Sequence, residues 1–172
     1  LERAIRYAEN VVAGKEVTTK EVITQCKWFL KELEENQYNE NFQYYFDKNK
    51  FKIINNLLKL FNFATGFVAG KQILTNLADF QCFFLANIFG WRFKDNSNKF
   101  RYNDITLYIA RKNAKTALVA ITFLLLMLTE QEYSEFYSIC LNKELAAEIR
   151  KAMVQILEAS PLIAKHFDWS DR

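Results

Sequence analysis

The chain has 172 residues, of which 51% are hydrophobic and 16% aromatic; this excludes an intrinsically disordered chain and suffices for one sizeable core. Its formal charge of +3, from 23 basic and 20 acidic residues, permits an anionic partner without requiring one. Cys26, Cys82 and Cys140 lie far apart with no CxxC spacing, and His166 is the single histidine, so neither a disulfide framework nor a zinc site is supported.

The first half reads as helical. In LERAIRYAENVV, residues Ala4, Ile5, Ala8, Val11 and Val12 recur at helical spacing, and Gly14 is placed to close the element. Thr18, with Glu21 three residues later, has the form of a capping box, and Val22, Ile23, Cys26, Phe29, Leu30 and Leu33 mark the buried face of the helix that follows. ENQYNEN reads as a loop, and Asp47 is a cap for a third helix over FKIINNLLKLFNFA, which the two-glycine segment TGFVAGK ends. Leu77 to Phe89 reads as a fourth helix stopped at Gly90.

The second half changes character. In FRYNDITLYIA, Ile105, Leu107 and Ile109 alternate with Thr106 and Tyr108, the period of a strand. TALVAITFLLLML behind it is apolar nearly all round, as expected of a helix buried against a sheet. EFYSICL again has strand composition, and Lys143 to Glu158 has helical spacing through Leu145, Ile149, Met153, Ile156 and Leu157. The order strand, loop, helix, strand, helix predicts an α/β fold: a helical N-terminal region over 1–76, then the first, incomplete part of a parallel sheet over 77–172. The longest apolar run, Ala117 to Leu128, is shorter than the roughly 18 residues of a bilayer span, and LERAIRYAEN is too charged for a signal peptide; a soluble intracellular protein is expected.

Between the first predicted strand and its helix lies ARKNAKT, residues 110–116. Consecutive backbone N–H groups at a helix start cradle an anion, a lysine reaches terminal phosphates, and a hydroxyl holds Mg²⁺. Lys115 and Thr116 stand where those two side chains belong, but the two glycine positions of GxxxxGK[ST] are occupied by Ile109 and Ala114. From the residues alone, a phosphate loop and an ordinary basic first turn both remain open. Arg92, Lys94, Lys99 and Arg101 form a second basic series, readable as a solvated rim or as a DNA contact.

The string ITLYIARKNAKTALVA resembles the deviant Walker A segment of tailed-phage terminase large subunits, where a strand precedes Arg-Lys-Asn-Gly-Lys-Ser/Thr. RYAENVVAGKEVTTKEVITQCKWFLKEL is similar to that family's helical N-terminus, LADFQCFFLANIFGWRF to the segment before its ATPase strand, and QILEASPLIAKHF to the helix closed by Ser-Pro-Leu. The resemblance implies a P-loop NTPase fold and binding of ATP with Mg²⁺. It implies phosphate contacts from Lys115, Mg²⁺ coordination through the nucleotide by Thr116, γ-phosphate support from Arg111, and loop contacts from Lys112, Asn113 and Ala114. Gln81 matches the glutamine assigned to adenine; a lone helical glutamine ordinarily faces solvent, so this role rests on the resemblance. Phe80 and Trp91 are candidates to pack on the base, though each also reads as core.

The same resemblance implies, for the whole family protein, ATP-driven packaging of double-stranded DNA in a bacterial host's cytoplasm. Its partners there are the portal and the small terminase subunit, and its ring forms only on the motor. No apolar strand ending in Asp-Glu and no nuclease-like carboxylate cluster occurs in these residues. The chain is therefore expected to be an N-terminal piece, truncated or prophage-derived, that binds nucleotide at most and does not hydrolyse it alone. If Ala114 takes a positive φ, its Cβ costs about 1 kcal/mol and crowds the phosphate. The alternative is a non-catalytic helical interaction module, or a degenerate prophage remnant without nucleotide binding.

Overall fold

The computed structural model describes residues 1–170. In chain order the helices are α1 (Glu2–Val12), α2 (Lys20–Glu34), α3 (Lys48–Leu58), α4 (Ile73–Asn76), α5 (Asp79–Gly90), α6 (Lys115–Thr129), α7 (Lys143–Glu158) and α8 (Pro161–Ala164). The strands are β1 (Tyr44–Phe46) and β2 (Trp91–Phe93). The chain divides into two compact units, Leu1–Ile53 with Leu77–Thr106, and Ile54–Asn76 with Leu107–Arg172.

In the first unit α1 packs on both α2 and α5. The face it buries carries Ala4, Ala8 and Val11, small enough to let the helices approach closely. Gly14, at φ +71°, ends α1: its N–H donates to the Val11 carbonyl at 3.1 Å, and the Lys15 N–H reaches back to Asn10 at 2.9 Å. The cap of α2 is Thr19, one residue beyond the expected Thr18, and its hydroxyl accepts from the Val22 N–H at 3.5 Å. Asp47 caps α3 as expected, accepting from the N–H groups of Asn49 and Lys50 at 3.0 and 2.9 Å.

β1 pairs antiparallel with β2 in the register Tyr44–Phe93, Tyr45–Arg92, Phe46–Trp91. The Phe46 ring then meets Phe29, Phe51 and Trp91 edge-on, with centroids 6.3, 5.4 and 5.5 Å away. At the junction of α5 and β2, Gly90 lies under that ring: a Cβ built on it would come 2.1 Å from Phe46 Cε2. A side chain there has no room.

In the second unit α6 packs on α7. Leu118, Ile121, Leu124 and Leu125 of α6 are each at most 1% exposed, and burying each such side chain contributes about 1.5–3 kcal/mol. α7 has the expected bounds and is capped by Asn142, whose side chain accepts from the Leu145 N–H at 2.9 Å. Ser160, fully buried, accepts from the Asn62 N–H at 2.8 Å and donates to the Ile156 carbonyl at 2.6 Å. The end of α7 is thereby tied to the segment after α3.

The expected parallel sheet is not formed. The sheet among the described residues is the antiparallel pair β1–β2, and neither 105–110 nor 135–141 is a strand. Alternation chooses a face, but a strand also needs a neighbour for its backbone groups, and these segments have none among the described residues. Their apolar side chains are correspondingly exposed, Tyr108 by 97%, Ile139 by 92% and Leu141 by 98%. The apolar helix α6 buries its face on α7 instead of on a sheet. Among the described residues, no helix is long and apolar enough to cross a membrane.

Gly90→Ala forces the Phe46 ring out of its aromatic setting. The expected loss is about 1–3 kcal/mol in urea unfolding.

Candidate functional site

The segment Arg111–Thr116 is exposed throughout and leads into the buried helix α6. Lys112 and Ala114 both take positive φ, 68° and 53°, and Ala114 (ψ 30°) is the N-cap residue of α6. Two left-handed residues in three turn the chain sharply into the helix. Asn113 between them holds the turn with its side-chain amide, which donates to the carbonyls of Ala110 and Arg111 at 3.3 and 3.4 Å.

The first hydrogen bond of α6 runs from the Leu118 N–H to the Ala114 carbonyl at 2.9 Å. The N–H groups of Lys115, Thr116 and Ala117 precede it and have no partner among the described residues. No side chain caps the helix either. The arrangement is a set of free donors at the positive end of a fifteen-residue helix, with the Lys115 and Thr116 side chains in solvent beside them. Chemically this suits an anion with several oxygens. The Ala114 Cβ is the one feature against it, since that backbone conformation favours glycine by about 1 kcal/mol.

Gln81 belongs to the first unit and the loop to the second. Contrary to the solvent-facing position usual for a lone helical glutamine, Gln81 is only 6% exposed. It is the third residue of α5, and its Oε1 accepts from the Ala78 N–H at 2.8 Å. Ala78, the N-cap, has no side-chain oxygen of its own. The bond fixes the amide's orientation, with Oε1 towards the turn, while Nε2 makes no hydrogen bond among the described residues. Trp91 is fully buried between Phe29 and Phe46, a core position.

Sequence reasoning missed what holds that turn. The first residue of α5, Asp79, receives Arg3 Nε on Oδ1 at 2.8 Å and Arg6 Nε and Nη2 on Oδ2 at 2.9 and 2.6 Å. Arg3 Nη2 also donates to the Leu77 carbonyl. Partial burial raises the Asp79 carboxyl, but the hydrogen bonds and charges of Arg6 and Arg3 outweigh it and hold the group below its ordinary value. The only signal in the sequence was a pair of arginines one helical turn apart on α1.

In the second basic series Arg92 is buried and Arg101 partly so, while Lys94 and Lys99 are exposed. Arg101 pairs with the buried Glu32 through both guanidinium arms at 2.5 and 2.9 Å. Arg92 stacks 3.6 Å over the Phe100 ring, and Lys94 Nζ donates to the Asn39 carbonyl at 2.8 Å. Lys99 Nζ lies 4.3 Å from the Phe93 centroid. Arg92 and Lys99 thus brace the 92–101 segment internally, whereas Arg101 and Lys94 tie it to Glu32 and Asn39.

A family model described as terminase large subunit, ATPase domain, matches residues 79–168, a little over half of the chain. No curated protein and no solved structure matches it.

Two expectations follow from this geometry. Ala114→Gly relieves the left-handed strain and raises unfolding stability by about 1 kcal/mol in urea. The Asp79 carboxyl has its folded pKa lowered from 3.8, so its contribution is present above that pH and lost as pH falls through the folded value. The wild type therefore melts above Asp79→Asn at pH 7, and calorimetry along a descending pH series finds the gap closing below about pH 4.

Proposed function

As the chain belongs to the terminase large subunit family, through its ATPase domain, we propose that it binds ATP with Mg²⁺ by the loop Arg111–Thr116. The observation that carries this reading is the row of free amides at residues 115–117 next to the exposed Lys115 and Thr116. The donor set fits a polyphosphate: Lys115 contributes a mobile point charge for the β and γ oxygens, and Thr116 an oxygen ligand for Mg²⁺. Mg²⁺ neutralises phosphate charge when it is bound. Arg111 and Lys112 add positive charge at the loop, and Asn113 keeps its turn closed. Ala114 lends backbone only.

Gln81 is the proposed adenine contact. Its free Nε2 is a donor, and the second lone pair of Oε1 remains an acceptor, which is the pattern that the N7 and N6 positions of adenine complete. In the assembled family protein we assign this chain to the motor that packages double-stranded DNA, working with the portal and the small terminase subunit. Its own part in that motor is nucleotide binding.

Mg·ATP, or a non-hydrolysable analogue, is expected to raise the melting temperature, and Lys115→Ala to abolish the shift. At a ligand concentration of 100 times Kd the stabilisation is about 2.7 kcal/mol, readily seen by differential scanning fluorimetry. Identical melting of both proteins with and without nucleotide sinks this reading and favours the non-catalytic interaction module.

A further inference from the structure

The segment 135–141 of the second unit has what a strand needs except a neighbour. Among the described residues, none of its backbone N–H or C=O groups makes a hydrogen bond. Phe136 and Ser138 are half-buried, and the Phe136 ring meets Phe123 of α6 with centroids 6.4 Å apart. Tyr137, Ile139 and Leu141 alternate with them and face solvent, exposed by 72, 92 and 98%. Residues 136–142 carry no charge, no glycine and no proline, the composition with which identical segments of different chains pair.

The charges at its two ends select the neighbour. Every second residue gives the order Glu135, Tyr137, Ile139, Leu141, Lys143, in which an exposed acid and an exposed base bracket three apolar side chains. Reversed along an antiparallel neighbour, that order is its own complement. With Ile139 opposite Ile139, Tyr137 faces Leu141 and Glu135 faces Lys143, each of these contacts occurring twice about a two-fold axis. A parallel pair in register sets Glu135 on Glu135 and Lys143 on Lys143, which is repulsive at both ends.

We propose that this segment is a self-association site, through which two copies of the chain pair antiparallel over 135–143 with Ile139 on the two-fold axis. The proposal is independent of the nucleotide site, since residues 111–116 take no part in it. Backbone hydrogen bonds supply attraction, and the alternate side chains set the register. An interface of one strand pair is small, so the dimer is weak, with a dissociation constant on the order of 100 µM.

Sedimentation equilibrium of the full chain, from about 10 µM to about 1 mM under reducing conditions, is expected to show a reversible monomer–dimer equilibrium. Ile139→Lys sets two cations against each other at the axis and leaves the chain monomeric; because Ile139 is exposed, its circular dichroism is unchanged. Glu135→Lys raises the dissociation constant about three-fold or more, and combining it with Lys143→Glu restores the wild-type value. Register is read by oxidation in a Cys140→Ser background. There Ile139→Cys links to itself, whereas Tyr137→Cys links to Leu141→Cys in a mixture of the two and not to itself. A chain that stays monomeric throughout the range overturns the proposal and leaves the segment to a different polypeptide. A dimer that survives Ile139→Lys overturns it too, as does assembly into parallel fibres in which every cysteine variant links to itself.

Discussion

The first unit depends on the bare Cα of Gly90. Because nothing projects from it, the Phe46 ring lies against the end of α5, and β1 closes onto β2 in register. The Gly90 carbonyl then accepts the Asp47 N–H at 2.8 Å, and the Asp47 carboxylate caps α3. One missing side chain thus links the end of one helix, a strand pair and the start of another helix. The aromatic pairs around Phe46 are each worth about 0.5–1.5 kcal/mol beyond burial, and they form only while that ring stays seated.

Legibility followed the range of the interactions. Features fixed within four or five residues were readable: the Gly14 closure of α1, the Asp47 cap, and both bounds of α7. The three-residue strands β1 and β2 were not, because they are too short to show alternation and their pairing joins residues far apart in sequence. The opposite error occurred at 105–110 and 135–141, where strand composition was real but a ladder partner was absent among the described residues. Composition reports what a segment suits; pairing decides what it becomes.

The candidate site divides in the same way. Lys115 and Thr116 at the start of an apolar helix were legible from local pattern. A positive φ at Ala114 was raised by its alignment with a glycine position, but that of Lys112 was not: its residue type does not favour positive φ, whereas Asn113 beside it, which tolerates it well, does not adopt it. The burial of Gln81 was hidden because it follows from its place in the first turn of α5, where a side-chain acceptor supplies what Ala78 lacks. The arginine clasp spans more than seventy residues of sequence, beyond the reach of any periodicity.

The loop before α6 is held in a costly form by the helix it starts. Left-handed alanine and lysine cost roughly 1–2 kcal/mol each, and the amides of residues 115–117 lack a partner among the described residues. The burial of Leu118, Ile121, Leu124 and Leu125 exceeds that cost severalfold, so α6 keeps its place and the strain collects at its first turn. Strain of this kind is an asset only where a ligand uses the shape. An anion that satisfies the free amides binds the folded state and not the unfolded one, so its affinity adds directly to stability. Glycine at 114 removes strain without supplying any partner for those amides. The strain at Ala114 and the demand of the amides are therefore separable: the first belongs to one side chain, the second to the backbone of the helix start whatever residue precedes it.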